Sequence, residues 1–427
     1  MLTSVLFSLA PALQAAGADP AGGLKEGARN MSPGHARFRS ALVVGQITLG
    51  LVLLVGAELL MASFLHLTYR DPGFRTDHLL TFDIALSEVQ YNGAGRVAFC
   101  DRLLERLRAI PGVEAAATGT PLPLQGRQMS VAFNIEDRPA AVPDRPVSNI
   151  AIVTPGYFGA MGIPIFKGRE FTERDKAEGP PVLIVNEAFA RKYFPGQDVI
   201  GKRIQPGAHD GQGPRMREIV GVVGNAKQVA LSADPDPIYY FPHKQLSWGI
   251  GTIVLRTAVP PLDVESAART ALASLDRQAP MYQVRTGEEL SASGIAPSRF
   301  LMMLMGSFAA IALMLTVVGL YGVLSYTVAR RRREIGVRIA LGAGRKQVLG
   351  LVFRQAAQLV AAGLILGLAG AVAAGRLLET TVFGLRPGDP LMLLGACCAL
   401  IVASIAAAYI PAARAASVEP MQALRSE

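Results

Sequence analysis

The side chains best able to do chemistry in this 427-residue chain are five histidines, three cysteines, one glycine-lysine run and one dense group of arginines. His35, His66, His78, His209 and His243 stand at no H-E-x-x-H or other metal-ligand spacing, and no G-x-S-x-G nucleophile elbow occurs. Cys100 is far from Cys397 and Cys398, which share an apolar run, so the polar middle of the chain has no disulfide of its own. Neighbouring cysteines on an apolar helix read as small packing residues. Gly196, Gly201 and Lys202 in GQDVIGKR match the G-x-x-x-x-G-K of a phosphate-binding loop. Arg203 stands where a Ser or Thr would hold Mg²⁺, and no strand immediately precedes the run, so it reads as a turn after a helix ending near Phe194. No catalytic residue, metal site or cofactor site emerges, and enzymatic chemistry is not the expectation.

The arginines are the more informative group. ARRRREIGVRIALGAGRKQVLGLVF, residues 329 to 353, interleaves Ile335, Val337, Ile339 and Leu341 with Glu334, Arg338, Arg345 and Lys346, and Gly342 and Gly344 mark a turn. A short amphipathic helix of this kind can dock by its apolar face into a groove on a partner and be held by its charges. It can equally lie on anionic lipid, held by its arginines.

That segment sits among four long apolar runs, near 41 to 64, 299 to 325, 356 to 375 and 391 to 411, within a chain that is 51% apolar. Each reaches the roughly 20 residues a helix needs to cross about 30 Å of hydrocarbon. Lys25, Arg29, Arg37 and Arg39 precede the first run. Arg330, Arg331, Arg332, Arg333, Arg338, Arg345 and Lys346 separate the second from the third, whereas 376 to 390 hold only Arg376 and Arg386. By the positive-inside rule the N-terminal segment, the Arg-rich loop and the C-terminus are cytoplasmic, and residues 66 to 297 lie outside. The formal charge of +9 is concentrated beside these spans, which favours a lipid bilayer over nucleic acid as its counterpart.

Within the spans, Gly363, Gly367 and Gly370 permit close helix approach. Gln46 and Glu58 are unusual for hydrocarbon. Glu58 lies near the outer end of its run, where snorkelling or a local hydrogen bond explains it more simply than a proton or substrate role.

The long polar insert alternates strand and helix patterns: strands over 78–86, 113–119, 217–231, 251–257 and 281–286, a strand running into a helix over 182–194, and helices over 95–109 and 264–275. An α+β extracytoplasmic domain of two lobes, inserted between helices 1 and 2 of an α-helical membrane domain with four transmembrane helices, is the fold these patterns imply. At the N-terminus, Pro11 to Pro20 (PALQAAGADP) and Pro411 to Pro420 (PAARAASVEP) agree at five of ten positions, and Leu24–Lys25 parallels Leu424–Arg425. That offset of 400 residues makes 1–28 read as the last helix and tail of a preceding module. A signal peptide and an interfacial amphipathic segment are the alternatives.

The segment REIGVRIALGA (333–343), together with SALVVGQITLGLVLLVGAELL (40–60), TPGYFGAMGIPIFKGREFTERD (154–175), VNEAFARKYFPGQDVIGKRI (185–204) and AAYIPAARAASVEPMQALR (407–425), resembles the permease family typified by the macrolide exporter MacB and the cell-division protein FtsX. The likeness covers nearly the whole chain, which resembles the C-terminal half of duplicated, acidobacterial-type permeases. It implies a lead-in and first helix over 29–65, a periplasmic domain over 66–297, and an FtsX-like permease domain over 298–427 with a coupling loop at 329–346. It also implies a separate cytoplasmic ABC-type ATPase bound at Glu334, Ile335, Gly336, Arg338, Leu341 and Gly342. A second permease module, in tandem or as a dimer, and a periplasmic partner are further implications, in a bacterial inner membrane. The family usually has a small residue at the position of Glu58, so no role is carried over to it. No complete Walker A loop and no L-S-G-G-Q signature is present, which fits ATP hydrolysis by another chain. The function implied is transmission of ATPase motion to export, of a drug, peptide or lipoprotein, or to mechanical work outside the membrane. An ATPase-independent scaffold or receptor, and a transmembrane activator of a cell-wall hydrolase, are the alternatives.

Overall fold

The computed structural model describes residues 33–68, 70–87, 90–209, 213–229, 231, 234–246, 251–341, 344–378 and 390–416. The expected remnant at 1–28 lies outside them. The chain divides into two units, one formed by Met61–Met302 and the other by the segments before and after it.

In chain order the elements are α1 (Pro33–Thr68), β1 (Leu79–Ile84), α2 (Gly93–Arg108), β2 (Val113–Thr120), β3 (Ser130–Ile135), β4 (Val147–Val153), α3 (Tyr157–Met161), β5 (Ile165–Gly168), β6 (Val182–Asn186), α4 (Glu187–Tyr193), β7 (Arg203–Pro206), β8 (Arg217–Val223), β9 (Ile238–Pro242), β10 (Thr252–Thr257), α5 (Glu265–Ala273), β11 (Met281–Thr286), α6 (Gly287–Ser293), α7 (Ala296–Arg330), α8 (Arg332–Ala340), α9 (Arg345–Leu378) and α10 (Pro390–Ala416).

The inserted unit is α+β. Its described strands form one sheet in the order β11-β1-β10-β2-β4-β3-β7-β8-β6-β9, with β5 on β8 and a further pairing of β4 with β9. Because strand side chains alternate between faces, each half of the sheet feeds two cores. Leu80, Phe82, Ile253 and Leu255 pack under α2 and α5 with Phe99, Leu103, Leu107 and Leu272. On the other half, Leu183, Val185, Tyr239 and Phe241 pack with Phe189 of α4 and with Phe133 and Phe194. The opposite faces of both halves meet in one shared core, where Leu79, Ala117 and Val254 join Val153, Ile184 and Tyr240 around Tyr157 and Phe158 of α3. The two halves are joined by a short antiparallel pairing of β2 with β4, Gly119 to Val153 and Thr120 to Ile152.

The strand expected over 217–231 stops at Val223. Gly224 then donates its N–H to Pro164 O at 2.8 Å and Lys227 to Pro72 O at 2.9 Å, while Asn225 Oδ1 accepts the N–H of Ala188. The chain leaves the sheet to satisfy other backbone groups. Strand β9, IYYFP, is buried at all five positions, so it shows no alternation from which a strand could be read.

Among the described residues four helices are long and apolar enough to cross a membrane, at Arg37–Thr68, Ser298–Arg330, Lys346–Gly375 and Pro390–Ala415, and these with the short α8 supply the second unit. Helix α1 presents Val43, Ile47, Leu51, Val55 and Leu59, one every fourth residue and each at most 4% exposed, to a core shared with α7, α9 and α10.

Candidate functional site

Helix α7 runs for 35 residues, about 50 Å at the α-helical rise, and ends at the arginine cluster. Arg331 interrupts it with φ −92° and ψ 12° and caps α8 without a side-chain hydrogen bond. The next turn restarts at once: Ile335 N–H donates to Arg331 O at 2.8 Å, and Leu341 N–H to Val337 O at 3.0 Å.

Helix α8 has two faces. Ile335, 3% exposed, sits in the core of the four-helix unit, Gly336 is buried and Ile339 packs against the same core. Glu334, Val337, Arg338 and Leu341 are exposed, Leu341 at 83%. Their spacing of i, i+3, i+4 and i+7 makes them one continuous stripe on a helix. Glu334 Oε1 holds Arg338 at 2.7 Å, one turn away, while Arg331 Nε is 3.9 Å from Glu334 Oε2. The stripe is therefore an apolar pair, Val337 and Leu341, beside a fixed ion pair.

This geometry divides the six expected contact residues. Glu334, Arg338 and Leu341 face solvent, whereas Ile335 and Gly336 are turned into the bundle and seat the helix. Gly342 lies outside the described residues. Val337, not among the six, stands on the exposed face. The i, i+3, i+4, i+7 reading of the same sequence is the signal that finds it.

The expected helix-packing glycines lie against α1. A Cβ on Gly363 would stand 2.6 Å from Ile47 Cβ, one on Gly367 would stand 2.8 Å from Leu51 Cδ2, and one on Gly370 would stand 3.1 Å from Val52 Cγ2. Thr48 Oγ1 donates to Gly363 O at 3.3 Å, which fixes the register of the two helices. Gln46 lies against Gly319 of α7, and Glu58 is 3.4 Å from the position a Cβ would take on Gly395 of α10.

In the inserted unit the GQDVIGKR run is a turn leading into β7. Gly196 (φ 71°) and Gly201 (φ 80°) take the left-handed conformation. Gly201 N–H is used by Ile219 O, and Lys202 Nζ is paired with Asp137 at 2.9 Å. Neither the lysine nor the loop amides converge on a phosphate. Among the described residues no group of three or more His, Cys, Asp or Glu is arranged to hold a metal ion. Cys100 is buried in the α2 core, and that burial pushes its thiol up to about 12.

Other polar side chains of this unit are structural. Arg256 on β10 donates to Ala160 O at 2.9 and 2.7 Å, to Arg75 O at 3.0 Å and to Asp77 O. Asn186, fully buried, accepts the N–H groups of Phe189 and Ile238 and donates to Asp236 O. Asp175 takes both arms of Arg169 at 2.7 and 2.8 Å. Burial works against ionisation of Asp175, but the Arg169 fork and the Thr172 N–H outweigh it and hold the carboxyl below the usual range.

Residues 45–275 match the MacB-like periplasmic core domain and residues 306–420 the FtsX-like permease C-terminal domain. The chain is 26% identical over 318 residues to the pyoverdine export ATP-binding/permease protein PvdT of Pseudomonas syringae pv. tomato, covering 72% of this chain and 46% of that protein. It is 25% identical over 347 residues to the macrolide export ATP-binding/permease protein MacB of Rhodospirillum rubrum, covering 74% and 51%. A third relative, the uncharacterized ABC transporter permease YknZ of Bacillus subtilis, is 25% identical over 347 residues, covering 79% and 81%. The chain thus spans about half the length of the first two. Among solved structures, the periplasmic region of MacB from Actinobacillus actinomycetemcomitans is similar at 15% identity and a TM-score of 0.36, over 52% of this chain and 94% of that one.

Proposed function

Because the chain belongs to the family that joins a MacB-like periplasmic core domain to an FtsX-like permease C-terminal domain, we propose that it is the permease subunit of an ABC-type system and couples a separate cytoplasmic ATPase to export or mechanical work on the opposite side of the membrane. The observation that carries this reading is the two-faced helix α8. Ile335 roots it in the four-helix core, and Glu334, Val337, Arg338 and Leu341 offer an exposed stripe that fits a groove on a partner. A partner seated on that stripe would act on Arg331 and, through it, on the unbroken length of α7.

The asymmetry of Lys and Arg around the spans supports a cytoplasmic location for α8 and an extracytoplasmic one for the inserted domain. By this reading the helices act as transmission, and the inserted domain is the part that meets substrate or a further envelope partner. A second copy of the module, in tandem or as a dimer, completes the membrane assembly.

Affinity purification from the native membrane tests the reading. Wild-type protein brings down an ABC-type ATPase, and Arg338→Glu, which turns the Glu334 pair into a repulsive one on an exposed face, loses it with membrane insertion unchanged. Recovery of no ATPase with the wild-type protein from any detergent extract would instead favour an ATPase-independent scaffold.

A further inference from the structure

Beside the root of α8 is a cavity of about 350 Å³ lined by Arg39 and Ser40 of α1, Tyr326, Thr327 and Arg330 of α7, Arg331 and Glu334, and Gln355 of α9. Three of these side chains are guanidiniums. The single lining carboxylate, Glu334, is already matched at 2.7 Å by Arg338, which is not part of the wall. Arg331 reaches Glu334 only at 3.9 Å, and among the described residues no carboxylate is ion-paired with Arg39 or Arg330. Among the described residues the cavity therefore sets three guanidiniums against one carboxylate that is shared with Arg338.

Its donors are held in position. Arg39 stacks on the Tyr326 ring, its Cζ 4.5 Å from the centroid. A guanidinium stacked by its face keeps its N–H groups free at the edge. Gln355 Nε2 donates to Thr327 Oγ1 at 3.4 Å, which ties α9 to α7 at the cavity wall. Depth is the second consideration: Arg39 stands at the start of the span Arg37–Thr68 and Arg330 is the last residue of Ser298–Arg330. The cavity thus lies where two candidate spans end, the level at which phospholipid phosphates are expected, and basic pockets between helices at that level select anionic headgroups.

We propose that this cavity binds a phosphate-bearing anion, supplied by the headgroup of an anionic phospholipid, between α1, α7 and α9 at the foot of α8. Arg39 and Arg330 hold the phosphate through charge-assisted hydrogen bonds, with the hydroxyl of Ser40 close by; the Thr327 hydroxyl is already donated to Val323 O. Occupancy would fix the Arg331 break between α7 and α8, so the lipid would set the resting geometry of the exposed stripe. The site requires no ATPase and is tested apart from the proposed function.

The full-length protein, stripped of lipid in detergent, is offered phosphatidylglycerol or phosphatidylcholine, and bound lipid is quantified by native mass spectrometry. The wild-type protein retains phosphatidylglycerol in preference to phosphatidylcholine. Arg39→Gln with Arg330→Gln weakens that retention by about 100-fold or more, at about tenfold or more per lost charge-assisted hydrogen bond. Lys346→Gln with Arg354→Gln, which removes the same charge outside the cavity, leaves it unchanged. Arg39→Lys with Arg330→Lys keeps the preference and shows that charge, rather than a failure to fold, accounts for the loss. A second arm uses inorganic phosphate alone. Binding of free phosphate with the same dependence on Arg39 and Arg330 supports the phosphate site and moves its source from lipid to solution. Equal retention of both lipids by the wild-type protein, with no phosphate binding, overturns the proposal. Equal loss in the two glutamine double variants overturns it as well.

Discussion

The inserted domain and the helical unit hold themselves together by different means. In the inserted domain, several buried side chains bridge groups distant in sequence: Arg256 satisfies three carbonyl oxygens, Asn186 bonds three backbone groups, and Asp175 receives both arms of Arg169, while the hydroxyls of Tyr239 and Tyr240 are buried without a hydrogen-bond partner. In the helical unit the helices are matched chiefly by shape, Gly363 against Ile47, Gly367 against Leu51 and Gly319 against Gln46, with a few interhelical side-chain bonds such as Thr48 Oγ1 to Gly363 O. Gln46 Oε1 is buried there without a hydrogen-bond partner. Directional bonds make the first unit resist deformation. Steric fit makes the second depend on the size of the residues at the helix contacts.

The largest effect expected from breaking this contrast is Arg256→Met. It leaves the carbonyls of Ala160, Arg75 and Asp77 without their donor and costs about 3 kcal/mol or more. Protease resistance of the inserted domain across a urea series measures it, and the stability of the helical unit does not change. Next is Gly363→Val, which drives a Cβ into Ile47 and costs the helical unit about 1–3 kcal/mol. Ile47→Ala in the same protein restores part of that, because the obstacle is a side chain. Gly370→Ala, with 3.1 Å to a single Val52 methyl, is milder.

How much of this was legible in the sequence follows from the same contrast. The four spans were plain because a bilayer demands long uncharged runs, and the α+β class was plain because α2 carries helical spacing while β1, β2, β6 and β10 are short, largely apolar runs of strand length. Strands β4 and β9 were not. β4 carries Ser148 and Asn149 in its first half, and β9, a run of aromatics closed by prolines, carries no period of two. On α8 the residue types were legible but their directions were not. Ile335 and Gly336 stand in the same signature as Glu334 and Arg338, and only packing against the bundle reveals that they point inward. The cavity was the least legible, since Arg39 and Tyr326 meet across nearly three hundred residues of chain.

A smaller effect concerns acid. Asp175 and Asp101 both titrate below the usual carboxylate range. In each, burial opposes ionisation and is outweighed by partners, Arg169 for Asp175 and His243 with Lys244 for Asp101. A carboxyl whose folded value is depressed contributes stability above its unfolded value, near pH 4, and loses it as the pH falls through the folded value. The inserted domain therefore weakens below about pH 4, and Asp175→Asn, at a cost of about 2 kcal/mol near neutral pH, flattens that acid limb. Chemical unfolding at stepped pH reads both.

The smallest effect on folding belongs to the stripe itself. Glu334→Ala and Leu341→Ala change stability by no more than about 0.5 kcal/mol, since the residues are exposed. A comparable loss to that of Gly363→Val in thermal unfolding would mean that the stripe is packed rather than open.

The central claim, that α8 presents Glu334, Val337, Arg338 and Leu341 to an ATPase while Ile335 anchors it, is met most directly by photo-crosslinking in the native membrane. A photoreactive residue at Leu341 is predicted to capture an ABC-type ATPase, and the same residue at Ile365, exposed on the membrane-spanning part of α9, captures none. Absence of an ATPase crosslink from position 341 with the protein correctly inserted, or equal capture from both positions, would contradict the account.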